Sequence, residues 1–419
     1  MARFAHLRPR RLLAVGAGLI VAVLGLPAVT APAGAVGALS LLGTTANVSH
    51  GWDSVEHWRD TDANWPATNY LADGRQNQTG TPATLFGTAQ PPGRDFLLYR
   101  APGWQSNTGS AVLLVMGAND DVDREYSDPA AGAAGSCGAS SCPSTGLMQY
   151  LTSRNHRVFA LDFADTQGDN YEWAQTISDA LSRVRTETGV ATVDLVAWSK
   201  GAFAARLYVA SVRPSWGRAY QQDVNRLVLI GGPNGGLDYT FAHGTEGNPL
   251  VYPECGGSLN GPSPSQSYMC YGLMYGEPDL SITSKYFTGQ RQMLARWDAS
   301  YGVDQSQQDW YTTYYGGTGY VSTGNGIASA ISQGSVVAAM QSATVPSSVR
   351  TYQLCGGSPS LIGFYNENRG PSDGVVFTSS CLSSKGIGNL AGSTLIAGDN
   401  HLMLGWEPTA ESSVAGWLS

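Results

Sequence analysis

The chain has 419 residues, of which 13% are charged and 52 are glycine. Lys and Arg number 24 against 32 Asp and Glu, which gives a formal net charge of −8. This acidic balance makes nucleic acid and anionic membrane surfaces poor partners. The length suits one α/β domain that carries a large insertion.

Residues 1–35 have the pattern of a secretory signal peptide. Arginines precede an apolar run over residues 12–29, and Ala33-Gly34-Ala35 offers the small residues of a cleavage site. Cleavage after Ala38 fits the same pattern. A transmembrane anchor is the alternative, and it is disfavoured because Gly and Pro interrupt the run. We therefore expect a secreted, extracellular protein without stable membrane insertion after signal cleavage.

The next part of the chain divides into an arm and a regular core. Residues 36–90 show no clear period and are expected to form an N-terminal arm lying on the domain. Apolar runs then alternate with segments of helical periodicity, which predicts a mostly parallel sheet with flanking helices in residues 91–236. The predicted strands are 96–100, 111–116, 158–163, 193–198 and 227–230, and the predicted helices are 146–155, 171–188 and 201–212.

Residues 237–345 break this rhythm and hold 11 of the 20 tyrosines. They indicate a cap inserted over the carboxyl ends of the strands, where open α/β sheets bind ligands. Its tyrosines fit the core of the cap, a groove for an apolar or polymeric ligand, or a surface that stacks on sugar rings. Helices are predicted at 284–297 and 327–342, and strands return at 349–354 and 394–396 in the second core part, 346–419.

Six cysteines follow the export signal, and they predict disulfide bonds. A metal site is disfavoured because the chain has no Cys-x-x-Cys and no neighbouring His at ligand spacing. We expect neither a metal nor a cofactor. The grouping along the chain favours three local pairs, Cys137 with Cys142, Cys255 with Cys270, and Cys355 with Cys381.

The sequence Ala197-Trp198-Ser199-Lys200-Gly201 lies between a predicted strand and a predicted helix. It is a variant of the G-x-S-x-G elbow, in which a strained turn exposes a nucleophilic serine. Small residues two before and two after the serine let the chain pass close to it. The alternative is an ordinary helix N-cap. The strand–turn–helix context favours Ser199 as the nucleophile.

A serine nucleophile needs a histidine base and an acid that orients it. We predict His401 as the base, since it follows the last predicted strand, and His243 is the alternative. We predict Asp373 as the acid, since it lies in the loop after the preceding strand. Serine, acid and histidine then follow one another along the chain in the order found in proteins with this elbow motif. The competing acids are Asp238, Glu367 and Asp399.

An oxyanion hole needs two backbone N–H groups. We predict those of Lys200, after the nucleophile, and Ala118, after an early strand, with Gly117 as the alternative to Ala118. The acidic loop 119–128 follows directly and is expected to be solvated. Calcium binding is the alternative for that loop, although the match to a twelve-residue calcium loop is poor.

At these residues the chain resembles the bacterial secreted lipase and esterase families of the α/β-hydrolase superfamily. The resemblance implies the α/β-hydrolase fold and hydrolysis of a small-molecule or polymeric carboxylic ester through an acyl-enzyme, and the tyrosines favour a bulky or polymeric one. An amidase or aminopeptidase, an acyltransferase and a non-catalytic binding protein are the alternatives. The matching segments are M-G-A at 116–118, A-W-S-K-G at 197–201, S-D-G-V-V at 372–376 and D-N-H-L at 399–402.

The chain departs from the family pattern at three positions. Met116 stands where these lipases usually carry His before the oxyanion glycine, and Lys200 stands where His, Met or Gln is usual. Several of the family bind a structural calcium through an acid two residues after the catalytic histidine. That position is Met403 here, so the resemblance implies no calcium at this place.

Overall fold

The protein is described by a computed structural model over residues 39–72, 74, 76–132, 136–239, 285–303, 314–318, 323–362 and 366–419. The predicted signal peptide, His243, Cys255 and Cys270 lie outside the described residues. Among the described residues no helix is both long and apolar enough to cross a membrane.

The described strands and helices alternate over much of the chain. The strands are β1 (Leu39–Ala46), β2 (Ser54–Asp60), β3 (Asp95–Arg100), β4 (Ala111–Val115), β5 (Arg157–Phe163), β6 (Val193–Trp198), β7 (Val224–Ile230), β8 (Gly317–Thr318), β9 (Thr323–Gly324), β10 (Arg350–Gly356) and β11 (Leu390–Ile396). The helices are α1 (Gly80–Phe86), α2 (Leu147–Ser153), α3 (Asn170–Thr188), α4 (Lys200–Val209), α5 (Thr288–Gln292), α6 (Gly326–Ser332), α7 (Val337–Ser342), α8 (Thr378–Cys381) and α9 (Pro408–Leu418).

One nine-stranded sheet in the described chain has the order β1-β2-β3-β5-β4-β6-β7-β10-β11. The strands from β5 to β11 in that order pair in parallel, and β1, β2 and β3 join them through antiparallel pairs. Two pairs of helices flank the sheet, α3 packed on α4 and α9 packed on α2. This is the α/β-hydrolase fold, and the predicted fold class is confirmed.

The strand order explains where a site can form. The chain leaves β4 toward β5 on one side and leaves β6 toward β7 on the other, so the order reverses between β4 and β6. Open α/β sheets bind ligands at such a reversal, outside the carboxyl ends of the strands. Gly117 follows β4 and Ser199 follows β6, so both lie at this point.

The structure corrects two expectations about the less regular parts of the chain. The segment expected as an arm contributes β1 and β2 to the main sheet, and its strands pair antiparallel with each other and with β3. The helix expected at 284–297 is the single turn α5, and the helix expected at 327–342 is divided into α6 and α7.

Candidate active site

Ser199 lies between β6 and α4 in a strained conformation, with φ 52° and ψ −121°. A non-glycine residue adopts such a positive φ rarely, and this strain is typical of functional sites. Its N–H donates to the Ile230 carbonyl oxygen at 2.8 Å, which fixes the turn to the neighbouring strand. The side chain is therefore held at the reversal point of the sheet.

Close packing explains why small residues surround the serine. A Cβ placed on Gly201 would lie 2.3 Å from the Met116 carbonyl oxygen and 3.0 Å from that of Val115. Real Cβ atoms do not approach that closely, so the end of β4 has room only for glycine here. Ala197, on the other side of the serine, is fully buried.

His401 lies in the loop after β11 and connects Ser199 to Asp373. Its Nε2 is 2.9 Å from the Ser199 Oγ, and its Nδ1 is 2.7 Å from the Asp373 Oδ2. Since a carboxylate can only accept, the Nδ1–H donates to Asp373 and Nε2 accepts the serine hydroxyl. Both His401 and Asp373 are buried, so water competes little for these bonds.

Asp373 is fixed by its backbone surroundings. Its Oδ1 accepts the N–H groups of Val375 at 3.0 Å and Val376 at 2.7 Å, which leaves Oδ2 for the histidine. Its carbonyl oxygen accepts the His401 N–H at 2.8 Å. The structure also joins Cys355 of β10 to Cys381 of α8 across this loop, and Cys137 to Cys142, which are two of the predicted local pairs.

The two predicted oxyanion donors differ from the alternative in what their N–H groups bind. The Gly117 N–H donates to both carboxyl oxygens of Glu125, at 2.8 and 3.0 Å. The Ala118 N–H has no acceptor among the described residues. Lys200 is the first residue of α4, and an N–H in that position has no partner within its helix. Ala118 and Lys200 thus remain available to a ligand.

The Lys200 side chain is fully buried and lies against Trp173 of α3. Its Nζ lies 3.0 Å from the centroid of the Trp173 ring and has no hydrogen-bond partner among the described residues. Burial lowers the pKa of Lys200 well below its usual value, and the charge of Asp165 opposes that shift. Only the backbone of Lys200 was predicted to serve the site.

The competing acids lie in other contacts. Asp238 accepts from Tyr314 at 2.6 Å and from Arg369 at 2.8 Å, and Glu367 pairs with the same arginine. Burial, aided by the charge of Glu407, raises the pKa of Asp399 to about 7. Within the described chain none of the three carboxylates reaches His401.

The acidic loop after β4 is buried over residues 122–127, which corrects the expectation of a solvated loop there, whereas Asn119 is exposed and Asp120, Asp121 and Asp128 are half-buried. Residues Asp123–Ser127 form a π-helical turn whose side chains are all buried. Asp123 accepts the Trp52 Nε1–H at 2.8 Å, and Glu125 binds Gly117. Among the described residues no group of three or more His, Cys, Asp or Glu is arranged to hold a metal ion.

Glu125 is the site neighbour that sequence reasoning missed. The run of acids indicates solvent, and only Tyr126 and Val122 among its neighbours hint at burial. The partner of Glu125 is the backbone N–H of Gly117, and no pattern in the sequence marks that group.

No protein-family profile matches the sequence. Among solved structures the chain is similar to the lipase BlEst2 of Bacillus licheniformis in its mature form, at 11% identity and TM-score 0.44, over 77% of this chain and 98% of that chain. It is similar to a carboxyl esterase of Bacillus coagulans at 12% identity and TM-score 0.38, over 77% and 93%. It is also similar to Est1E of Butyrivibrio proteoclasticus at 11% identity and TM-score 0.37, over 77% and 91%. At these identities and TM-scores the likeness carries no conclusion about the activity or substrate of this chain.

Proposed function

We propose that this chain is a secreted serine hydrolase that cleaves carboxylic esters through an acyl-enzyme. The observation that carries the proposal is the chain of hydrogen bonds from Ser199 through His401 to Asp373, with the serine in a strained strand–helix turn. Three buried or half-buried groups in this order are what an activated serine requires. The two disulfides and the signal-like N-terminus support secretion.

In the first half-reaction His401 Nε2 takes the hydroxyl proton as Ser199 Oγ attacks the ester carbonyl carbon. The carbonyl oxygen becomes an oxyanion, and the N–H groups of Ala118 and Lys200 stabilise it. The N-terminus of α4 adds a favourable dipole at the same place. Asp373 holds the imidazole in the required tautomer and stabilises its cation.

The tetrahedral intermediate then collapses. The bond from the carbonyl carbon to the alkoxy oxygen breaks, and His401 gives its proton to the departing alcohol. In the second half-reaction His401 takes a proton from water, whose oxygen attacks the acyl carbon. Collapse of the second intermediate releases the acid, and His401 returns the proton to Ser199.

We infer the substrate class from the composition of the cap. The abundance of tyrosine in residues 237–345 favours a bulky or polymeric ester. In the described part of the cap, Trp297 and Tyr301 pack on Phe377 beside the acid loop, with the Tyr301 and Phe377 ring centroids 4.4 Å apart. These two cap aromatics therefore help attach the cap to the core.

The test is reaction with a fluorophosphonate probe and turnover of p-nitrophenyl esters from short to long acyl chains. We expect the probe on Ser199, and we expect Ser199→Ala to lose at least ~10³-fold in kcat/KM with an unchanged melting temperature. Ser412→Ala is the matched control, since Ser412 is exposed on α9 and its hydroxyl donates to the Thr409 carbonyl oxygen of the same helix. A folded Ser199→Ala protein with near-wild-type turnover contradicts the proposal.

The remaining outcomes separate the alternatives. Labelling of Ser199 without ester turnover would favour an amide substrate, for an amidase or aminopeptidase. Labelled protein that transfers its acyl group to an added alcohol faster than to water would favour an acyltransferase. A folded protein that neither reacts with the probe nor hydrolyses esters would favour a non-catalytic binding protein.

A further inference from the structure

The turn that holds Glu125 contacts the end of β4 at two points. Glu125 accepts the Gly117 N–H with both carboxyl oxygens, and the neighbouring Tyr126 hydroxyl donates to the Val115 carbonyl oxygen at 2.7 Å. Both residues are buried, so these bonds are made away from competing water. The two bonds thereby fix the backbone at Val115 and Gly117, on either side of Met116.

The same turn also contacts the residue before the nucleophile. The Tyr126 ring lies 5.9 Å from the Trp198 ring, and the Arg124 guanidinium lies 5.5 Å from it. A Cβ added to Gly117 would be 2.9 Å from Glu125 Oε1 and 3.1 Å from the Ser199 Cβ. Gly117 is thus packed between the carboxyl group and the serine.

We propose that Glu125 is the positioning residue of the oxyanion loop, because it binds the Gly117 N–H and so leaves the Ala118 N–H turned to the substrate. This inference rests on the proposed function for its effect on rate. The adjacent N–H groups of Gly117 and Ala118 are the two candidates for one donor position of the oxyanion hole. Because Glu125 accepts the Gly117 N–H, the Ala118 N–H is the one that can bind the oxyanion. Without Glu125 the Gly117 N–H loses its acceptor, and only the packing of the Met116 carbonyl oxygen on Gly201 still constrains the peptide between Met116 and Gly117.

The charge of Glu125 matters for the same reason. Burial raises its pKa to about 8, the charge of Arg124 opposes the rise, and that of Asp121 adds to it. Below that pH the carboxyl group is neutral and does not repel an oxyanion beside Ser199. The charged or titratable groups that face it are Arg124 and Tyr126 of its own turn, Asp121 of the preceding loop and Asp162 of β5.

The experiment compares Glu125→Gln with Glu125→Met. The glutamine carbonyl can still accept the Gly117 N–H, so we expect kcat within about 3-fold of wild type. The methionine cannot, so we expect kcat to fall roughly 10–100-fold with little change in KM, the cost of misplacing a catalytic group by about 1 Å. Glu187→Met is the matched control, since it removes a buried carboxylate that pairs with Arg100 away from the site.

The pH profile tests the charge of Glu125 separately from its hydrogen bond to Gly117 and from a general loss of stability. In wild type, kcat should fall as pH rises above about 8, where Glu125 ionises. Glu125→Gln cannot ionise, so this fall should be absent from its profile. A loss of stability alone would lower the fraction folded and would not remove one limb of the profile.

Amide hydrogen exchange gives a readout that needs no substrate. The Gly117 N–H should be protected in wild type and in Glu125→Gln, and it should exchange fast in Glu125→Met. A Glu125→Met protein that keeps wild-type kcat, or a Gly117 N–H unprotected in wild type, overturns the inference. The expected exchange pattern without ester turnover by any variant would instead refute the proposed function while the contact stands.

Discussion

The parallel and antiparallel halves of the sheet share one apolar core, and they differ in how many ion pairs accompany it. In the parallel half, β4 and β6 are fully buried, and all their residues except Asp194 are apolar. Their side chains are therefore close-packed, as in a crystal of small organic molecules. In the antiparallel half, Arg100 of β3 lies between Glu56 of β2 and Glu187 of α3, at 2.5 and 2.8 Å. Buried charge holds β2 and β3 to the helix layer.

The strands that precede the proposed catalytic residues differ from the strands that carry these ion pairs. The proposed reacting groups follow β6, β10 and β11, where backbone hydrogen bonds and close packing fix them. The ion pairs of the antiparallel half, such as Arg59 with Asp95, lie on the strands that carry none of the triad. Changes in the first half should therefore alter rate, and changes in the second should alter stability.

The largest effect is expected from Asp373→Asn. The Val375 and Val376 N–H groups will hold the amide oxygen, so the amide NH₂ will face His401 Nδ1 and force the wrong tautomer. We expect kcat to fall on the order of 10³–10⁴-fold with the melting temperature unchanged. Asp53→Asn, an exposed change, is the control. A kcat within 10-fold of wild type would correspond to a loss of at most ~1.4 kcal/mol in transition-state stabilisation. That result would show that Asp373 does not orient the base.

A smaller free-energy change, confined to stability, is expected from Arg100→Met. It leaves Glu56 buried without its cation, while Glu187 keeps its pair with Arg183, and the unpaired carboxylate should cost about 3–5 kcal/mol in the free energy of unfolding. Urea unfolding measures that loss, and kcat of the folded fraction should stay at the wild-type value. Arg154→Met, on an exposed arginine, controls for loss of positive charge. If kcat falls in step with stability, the two halves are coupled and the comparison fails.

The smallest effect is expected from Asp399→Asn, and it depends on pH. The pKa of Asp399 is raised to about 7 in the folded protein from an ordinary value of 3.8, so its contribution to stability is present at low pH and is lost as pH rises through 7. The variant should therefore gain stability relative to wild type between pH 5 and pH 8, by at least ~1 kcal/mol, about one pKa unit. Thermal unfolding at both values measures it. A gain of the same size at both pH values would contradict the titration, and a loss of turnover would return Asp399 to the acids that compete with Asp373.

Sequence patterns predict the parallel half well because its strands are apolar runs. The run 111–116 and the strand before Ser199 match β4 and β6 within one residue, and the elbow could be located from its small residues. The loops that carry Asp373 and His401 follow strands that the same signal finds. The order of the three residues along the chain then identified a set that the structure brings together.

In the antiparallel half β3 matches the strand predicted at 96–100, but β2 escaped prediction because charged residues make up much of it. β2 reads Ser-Val-Glu-His-Trp-Arg-Asp, whose charged residues are paired in the fold, and such a run resembles a solvated segment. The turn at Asp123–Ser127 was missed for the same reason. A buried carboxylate is recognised only through its partner, and Gly117 offers a backbone N–H that no sequence pattern displays.

The backbone of Ser199 has a consequence for any attempt to improve this protein. A serine at φ 52° costs on the order of 1–3 kcal/mol that glycine in the same turn would not. Selection for heat resistance alone would thus favour replacing the proposed nucleophile. Libraries screened by thermal survival need a second screen for activity, because in this turn durability and function compete for a single position.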